Sequence, residues 1–103
     1  MISYIAPVGT PVSLTVGSVT LTSVILSWSA PPEDQLNGII RHYVVIIEET
    51  DTGKNTTQTS INPQIVLSSL HPFYTYNFAV CAVTIDIGPC VYYEPVQLPQ
   101  DGK

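Results

Sequence analysis

The sequence predicts an all-β domain, a sandwich or a barrel, and three observations predict it. Val, Ile, Thr and Tyr dominate in short runs, and these residue types fit a pleated, half-buried surface. Nine prolines and six glycines interrupt the 103 residues, while Ala, Glu, Lys and Arg are sparse. Within the runs, apolar residues recur at every second position, the period of a strand with one buried face.

Seven runs follow in order. Residues 12–16 place Leu14 and Val16 on one face, and residues 24–28 do the same for Val24, Leu26 and Trp28. In residues 40–48, Tyr43, Val45 and Ile47 align. Residues 55–60 are polar and Thr-rich, the composition of a solvated edge strand. Residues 65–67 are short, with Ile65 and Leu67 on one side. Residues 76–83 align Tyr76, Phe78, Val80 and Ala82. The last run, 91–98, contains Pro95, which lacks a ladder N–H, so it reads as an edge strand with a break. Ala30-Pro31-Pro32 ends the second run, Asn37-Gly38 opens the third, and Asp51-Thr52-Gly53 turns it into the fourth. Residues 1–10 and 99–103 read as linkers flanking a domain at 11–98.

Composition narrows the function. The chain is 45% hydrophobic and 11% charged, too apolar for disorder and long enough for one domain. No apolar run approaches the roughly 18 residues of a transmembrane helix. Ile2-Ser3-Tyr4 after Met1 has neither the basic stretch nor the apolar core of a signal peptide, as expected of a segment of a longer protein. Three Lys/Arg against eight Asp/Glu give a net charge of −5. Arg41, Lys54 and Lys103 are scattered, so neither a nucleic acid nor an anionic membrane surface is an expected partner.

Three segments, in this order, resemble the fibronectin type III family over about residues 11–98. They are Ser27-Trp28-Ser29-Ala30-Pro31-Pro32, then Asn37-Gly38-Ile39-Ile40-Arg41-His42-Tyr43-Val44-Val45, and Leu70-His71-Pro72-Phe73-Tyr74-Thr75-Tyr76. The resemblance implies a seven-stranded, immunoglobulin-like antiparallel sandwich, with strands A, B and E packed on C, C′, F and G. It implies a core carrying Trp28, Tyr43, Leu70 and Tyr76, with Tyr76 as a tyrosine corner whose OH bonds nearby backbone.

Cys81, between Val80 and Ala82, faces away from that core, and Cys90 follows Gly88-Pro89. In an F–G hairpin the two become cross-strand neighbours and a candidate disulfide. The alternative is two free thiols in a cytosolic repeat. A pair so placed is similar to repeats of large receptor ectodomains, including receptor-type tyrosine phosphatases, with the phosphatase Q group as the narrowest expectation. The implied location is the extracellular part of a single-pass plasma-membrane protein.

Other motifs carry less chemistry. Asp51-Thr52-Gly53 matches the aspartic-protease tripeptide, but it lies on a charged, solvated turn, whereas that chemistry needs two carboxylates sharing a proton out of water. His42 and His71 are the only imidazoles and belong to no Cys/His cluster, so no metal ligand set is expected. No Ser or Cys stands in a nucleophile elbow. The expectation is no catalytic, cofactor or metal site. Asn55-Thr56-Thr57 is an N-glycosylation sequon at a hairpin exit. Val44 and Ile46 on strand C and Ala79, Cys81 and Val83 on strand F should point outward. Val44, Ile46, Ala79 and Val83 thus form a candidate apolar interface. The B–C loop (33–36) and F–G loop (85–88) share one end of the sandwich and lack Arg-Gly-Asp. The expected role is a non-catalytic spacer or adhesion module, monomeric in isolation, meeting neighbouring repeats or a protein partner. The alternative is a specific ligand-binding module using the C–F–G face or those loops.

Overall fold

The computed structural model describes residues 6–100. Seven strands follow the alternation: β1 (Val12–Gly17), β2 (Val24–Ser29), β3 (His42–Glu49), β4 (Asn55–Ser60), β5 (Gln64–Leu67), β6 (Thr75–Val83) and β7 (Ile87–Gln97). One 3-10 turn, Glu33–Gln35, lies in the β2–β3 connection. The strands form two antiparallel sheets, β1-β2-β5 and β4-β3-β6-β7. These are the A-B-E and C′-C-F-G layers of the expected sandwich.

The core lies between the layers and is built from the predicted periodicity. From one sheet come Leu14, Val24, Leu26, Trp28 and Leu67. From the other come Tyr43, Val45 and Ile47 on β3, then Tyr76, Phe78, Val80 and Ala82 on β6. Each such aliphatic or aromatic side chain contributes about 1.5–3 kcal/mol by leaving water. Trp28 meets Tyr43 edge to face, ring centroids 5.2 Å apart at 73°, and so bridges the sheets. Leu70 packs half-buried against the rim of this core. The polar strand β4 is exposed along nearly its whole length and forms one edge.

The last strand departs from expectation. It begins at Ile87, four residues early, and runs through Pro95 without ending. Pairing with β6 shifts by one residue between the Tyr76–Val96 and Phe78–Tyr93 pairs, and again between Cys81–Cys90 and Val83–Ile87. Each shift places one extra residue on β7, and a proline, Pro95 or Pro89, lies within each. A bulge leaves a residue unpaired, so a proline there removes no ladder bond, and β7 has a free edge.

Residues 6–10, expected as linker, are packed against the domain. Pro7, Gly9 and Pro11 are buried. The Val8 and Gly9 N–H groups both donate to the Gln35 carbonyl, at 2.9 and 3.3 Å, and Asn37 Nδ2 donates to the Ala6 carbonyl at 3.0 Å. Gly88 is required here, because a Cβ on it would lie 2.8 Å from the Pro7 Cβ. The β2–β3 connection, residues 6–9 and the β6–β7 hairpin therefore form one unit. At the other boundary the Pro99 carbonyl accepts from the Phe73 N–H at 3.2 Å.

Candidate binding surfaces and the Cys81–Cys90 bridge

Cys81 and Cys90 are directly paired across β6 and β7, their Cα atoms 4.1 Å apart, and a disulfide joins them. The register puts the bridge on the outer face of the four-stranded sheet. Closing a loop of this length removes unfolded-chain entropy worth about 2–3 kcal/mol. Because Cys81 is fully buried beneath its own bridge and neighbours, the bond is shielded from solvent on the β6 side.

That outer face consists of cross-strand rows. Thr59, Val44, Cys81 and Cys90 form one, Thr57, Ile46, Ala79 and Tyr92 the next, and Asn55, Glu48 and Asn77 the third. Val44 and Ile46 are half-buried. Ala79 and Val83 lie on this face but present almost no surface, at 3% and 9% exposure. The expectation of four outward, accessible apolar side chains is corrected accordingly. A small alanine is recessed between the larger Ile46 and Tyr92, and Val83 is flanked in register by His42 and Ile87. The most exposed apolar group of these rows is Tyr92, 74% exposed, which the strand reading did not single out. Its signal was present, since Tyr92 shares the parity of Cys90.

The hollow over Ala79 is a shallow depression of about 270 Å³ lined by Ile46, Glu48, Asn55, Asn77, Ala79 and Tyr92 among others. Asn55, the sequon asparagine, is exposed and opens into it. Asn77 Nδ2 donates to Glu48 Oε1 at 2.9 Å, making a polar rim.

The loop end of the sandwich carries a second apolar surface. Ile39 and Ile85 are 87% and 68% exposed and line a depression with Gly38, Arg41 and Thr84. Glu33 and Asp34 in the β2–β3 connection and Asp86 in the β6–β7 hairpin are exposed.

The remaining candidates serve structure. Tyr76 is fully buried, and its OH accepts the His71 N–H at 2.8 Å, five residues upstream. Burial raises the Tyr76 phenol above its ordinary range, against the opposing pull of the His71 hydrogen bond. Burial likewise raises the Tyr43 phenol, opposed by the neighbouring Trp28 indole. That indole Nε1 is itself buried without a hydrogen bond of normal geometry, so its influence on Tyr43 is one of proximity. His71 is exposed with its ring 4.7 Å from that of Tyr74, and His42 sits half-buried on β3. Among the described residues no cluster of three His, Cys, Asp or Glu side chains is placed to hold a metal. Asp51 accepts the Thr75 N–H at 3.0 Å, while Gly53, at φ +77°, sends its N–H to the Glu49 carbonyl at 2.7 Å. Asp51 thus ties the β3–β4 turn to the start of β6. No helix among the described residues is long and apolar enough to cross a membrane.

Comparison with known proteins agrees with this architecture. The family description "Fibronectin type III domain" matches residues 9–89. The chain is 32% identical over 78 residues to receptor-type tyrosine-protein phosphatase F of Danio rerio, covering 76% of this chain and 4% of that protein. It is 35% identical over 104 residues to Roundabout homolog 1 of Mus musculus, covering 95% of this chain and 6% of the relative. The crystal structure of the FN5 domain of Drosophila Lar superposes with a TM-score of 0.73 at 22% identity, covering 91% of this chain and 98% of that one. The chain therefore spans only a small fraction of the curated relatives it matches. With its A-B-E and C′-C-F-G sheets, buried Trp28 and Tyr76 corner, the chain belongs to the fibronectin type III family.

Proposed function

We propose that the chain is a non-catalytic extracellular repeat of a cell-surface receptor, acting as a spacer and adhesion module. The observation that carries this reading is the Cys81–Cys90 bridge, because such bonds persist in oxidising compartments and are rare in the cytosol. The relatives support it: one is named a receptor-type phosphatase, and the chain matches only 4% of it. A receptor-type phosphatase ectodomain is the narrower parent this favours. Asn55 carries an N-linked glycan in this reading, on an exposed strand residue of the sheet edge.

The experiment is secretion of the full chain from mammalian cells behind a signal peptide. The secreted product is expected to gain the mass of two hydrogens on reduction and to sediment as a monomer. Retention in the cell, or free thiols in secreted material, overturns the reading.

A second reading, a specific protein-binding module, draws on Ile39 and Ile85 standing exposed beside Arg41 at the loop end. Self-association in sedimentation that Ile39→Asp with Ile85→Asp abolishes supports the loops as the contact. Loss instead with Val44→Glu and Ile46→Glu places the contact on the sheet.

A further inference from the structure

We propose that the glycan on Asn55 folds back over the outer face of the β4-β3-β6-β7 sheet, seating its first sugars in the hollow above Ala79 and against the Tyr92 ring. The inference rests on the glycosylated, extracellular reading above.

Four observations carry it. Asn55 is paired with Glu48, which points outward, so the Asn55 side chain leaves the strand on the outer face and not toward the core. Asn55 itself lines the depression that contains Ile46, Ala79 and Tyr92. The hollow exists because alanine is the smallest member of its row, with Ile46 on one side and Tyr92 on the other. Tyr92, on the far strand, is 74% exposed and unusually large for an open position facing solvent.

Distances fit a short oligosaccharide. Asn55 and Tyr92 lie three strand spacings apart, about 14 Å at about 4.8 Å each, and one row of two residues apart along the strands, a diagonal of about 16 Å. The first sugar residues of an N-glycan core, together with the Asn55 and Tyr92 side chains, cover that diagonal, passing over Ile46 and Ala79 to the Tyr92 ring. The chemistry fits as well. A pyranose ring has one face of C–H bonds, and its acetamide brings a methyl group. The electron-rich face of a tyrosine ring attracts such weakly positive hydrogens while both surfaces leave water. The Glu48–Asn77 pair supplies polar atoms at the edge of the hollow, within the same row as Asn55. The exposed Tyr92 and the half-buried Ile46 are thereby covered by a group the chain itself carries.

The test uses the full chain secreted from mammalian cells, before and after enzymatic release of N-glycans, with the Thr57→Ala variant as a chain that cannot be glycosylated. Intact mass reads occupancy. Tyrosine nitration, followed by peptide mass spectrometry, reads the face. In the glycosylated chain Tyr92 is expected to be nitrated severalfold more slowly than in the deglycosylated chain and in Thr57→Ala, with Tyr74 unchanged. A Tyr92→Ser variant is expected to keep the glycan and lose the thermal stabilisation the glycan confers on the parent. An unchanged mass after glycan release overturns the glycosylation reading itself. A shifted mass with equal Tyr92 nitration leaves that reading standing and overturns the seating on the sheet. Protection of Tyr92 that appears without a glycan and grows with protein concentration assigns the face to a second copy, and also overturns it.

Discussion

The two ends of β6 are held by different means. At its start the OH of the buried Tyr76 accepts the His71 N–H, while Asp51 takes the Thr75 N–H and the Thr75 carbonyl accepts from the Thr50 N–H at 3.0 Å. Near its end a single covalent bond joins Cys81 to Cys90. The first anchor works mainly through native-state hydrogen bonds and burial, and is indifferent to redox conditions. The second works mainly by limiting the unfolded chain and exists only where disulfides survive. One fold thus carries a structural corner that is indifferent to redox conditions beside a clasp that persists only under oxidising ones.

The largest expected effect breaks the clasp. Replacing both cysteines by alanine should lower the free energy of unfolding in urea by about 2–3 kcal/mol. Reduction of the parent should give the same loss, and a loss well below that range would mean that the bridge is not a stabilising element. The difference between the two ends is then one of kind: the cysteine loss should vanish when parent and variant are compared under reducing conditions, whereas any loss at the corner should not.

Breaking the corner comes next. Tyr76→Phe keeps the ring and removes one hydrogen bond, so the expected cost is about 1 kcal/mol at neutral pH. A pH series adds a sign. Tyr76 and Tyr43 have phenols raised by burial, so the folded state holds these protons more tightly than the unfolded state. Their contribution is fully present below the unfolded tyrosine value of about 10 and is lost as pH rises through the raised folded values. The parent should therefore destabilise progressively above about pH 10, and Tyr76→Phe should show a shallower alkaline fall, measured by urea midpoint against pH.

How much of this was legible in the sequence follows the range of the interactions. The strands β2, β3 and β6 were readable because Val24, Leu26 and Trp28, or Tyr76, Phe78 and Val80, repeat at the period of the pleat, a property of the local chain alone. The Tyr76 corner was legible only through the family resemblance, and the cysteines as a candidate pair from their place in one hairpin. The burial of Ala79 was not, since it depends on which residues flank it from β3 and β7, and register is set by the whole sheet. The early start of β7 was hidden for a related reason. Gly88-Pro89 has the composition of a turn, and only the bulge and the Pro7 contact make it part of a strand. Tyr92 fell between these cases: its parity was legible, but its prominence came from the small residue beside it.

Asp51 offers a smaller test of the same corner. Its carboxylate holds the Thr75 N–H on an exposed turn, where water competes for both groups. Asp51→Ala should cost about 0.5 kcal/mol in urea unfolding. The aspartate belongs to the fold of its own chain, and a cost indistinguishable from zero would remove it from the corner.

The smallest expected effect is the coupling between the two ends. Tyr76 and Cys81 are five residues apart on one strand, about 16 Å at about 3.3 Å per residue. They share no hydrogen-bond partner, and the intervening Phe78 and Val80 are held by the same core in either variant. Sites at that separation add within about 0.3–0.5 kcal/mol. Tyr76→Phe combined with the double alanine variant should therefore lose the sum of the separate losses to within that margin, in a double-mutant cycle by urea unfolding. A larger coupling would show that β6 transmits strain from clasp to corner as a rigid bar. Additivity would show two local fasteners, so that a reduced repeat keeps its corner intact while its F–G hairpin loosens.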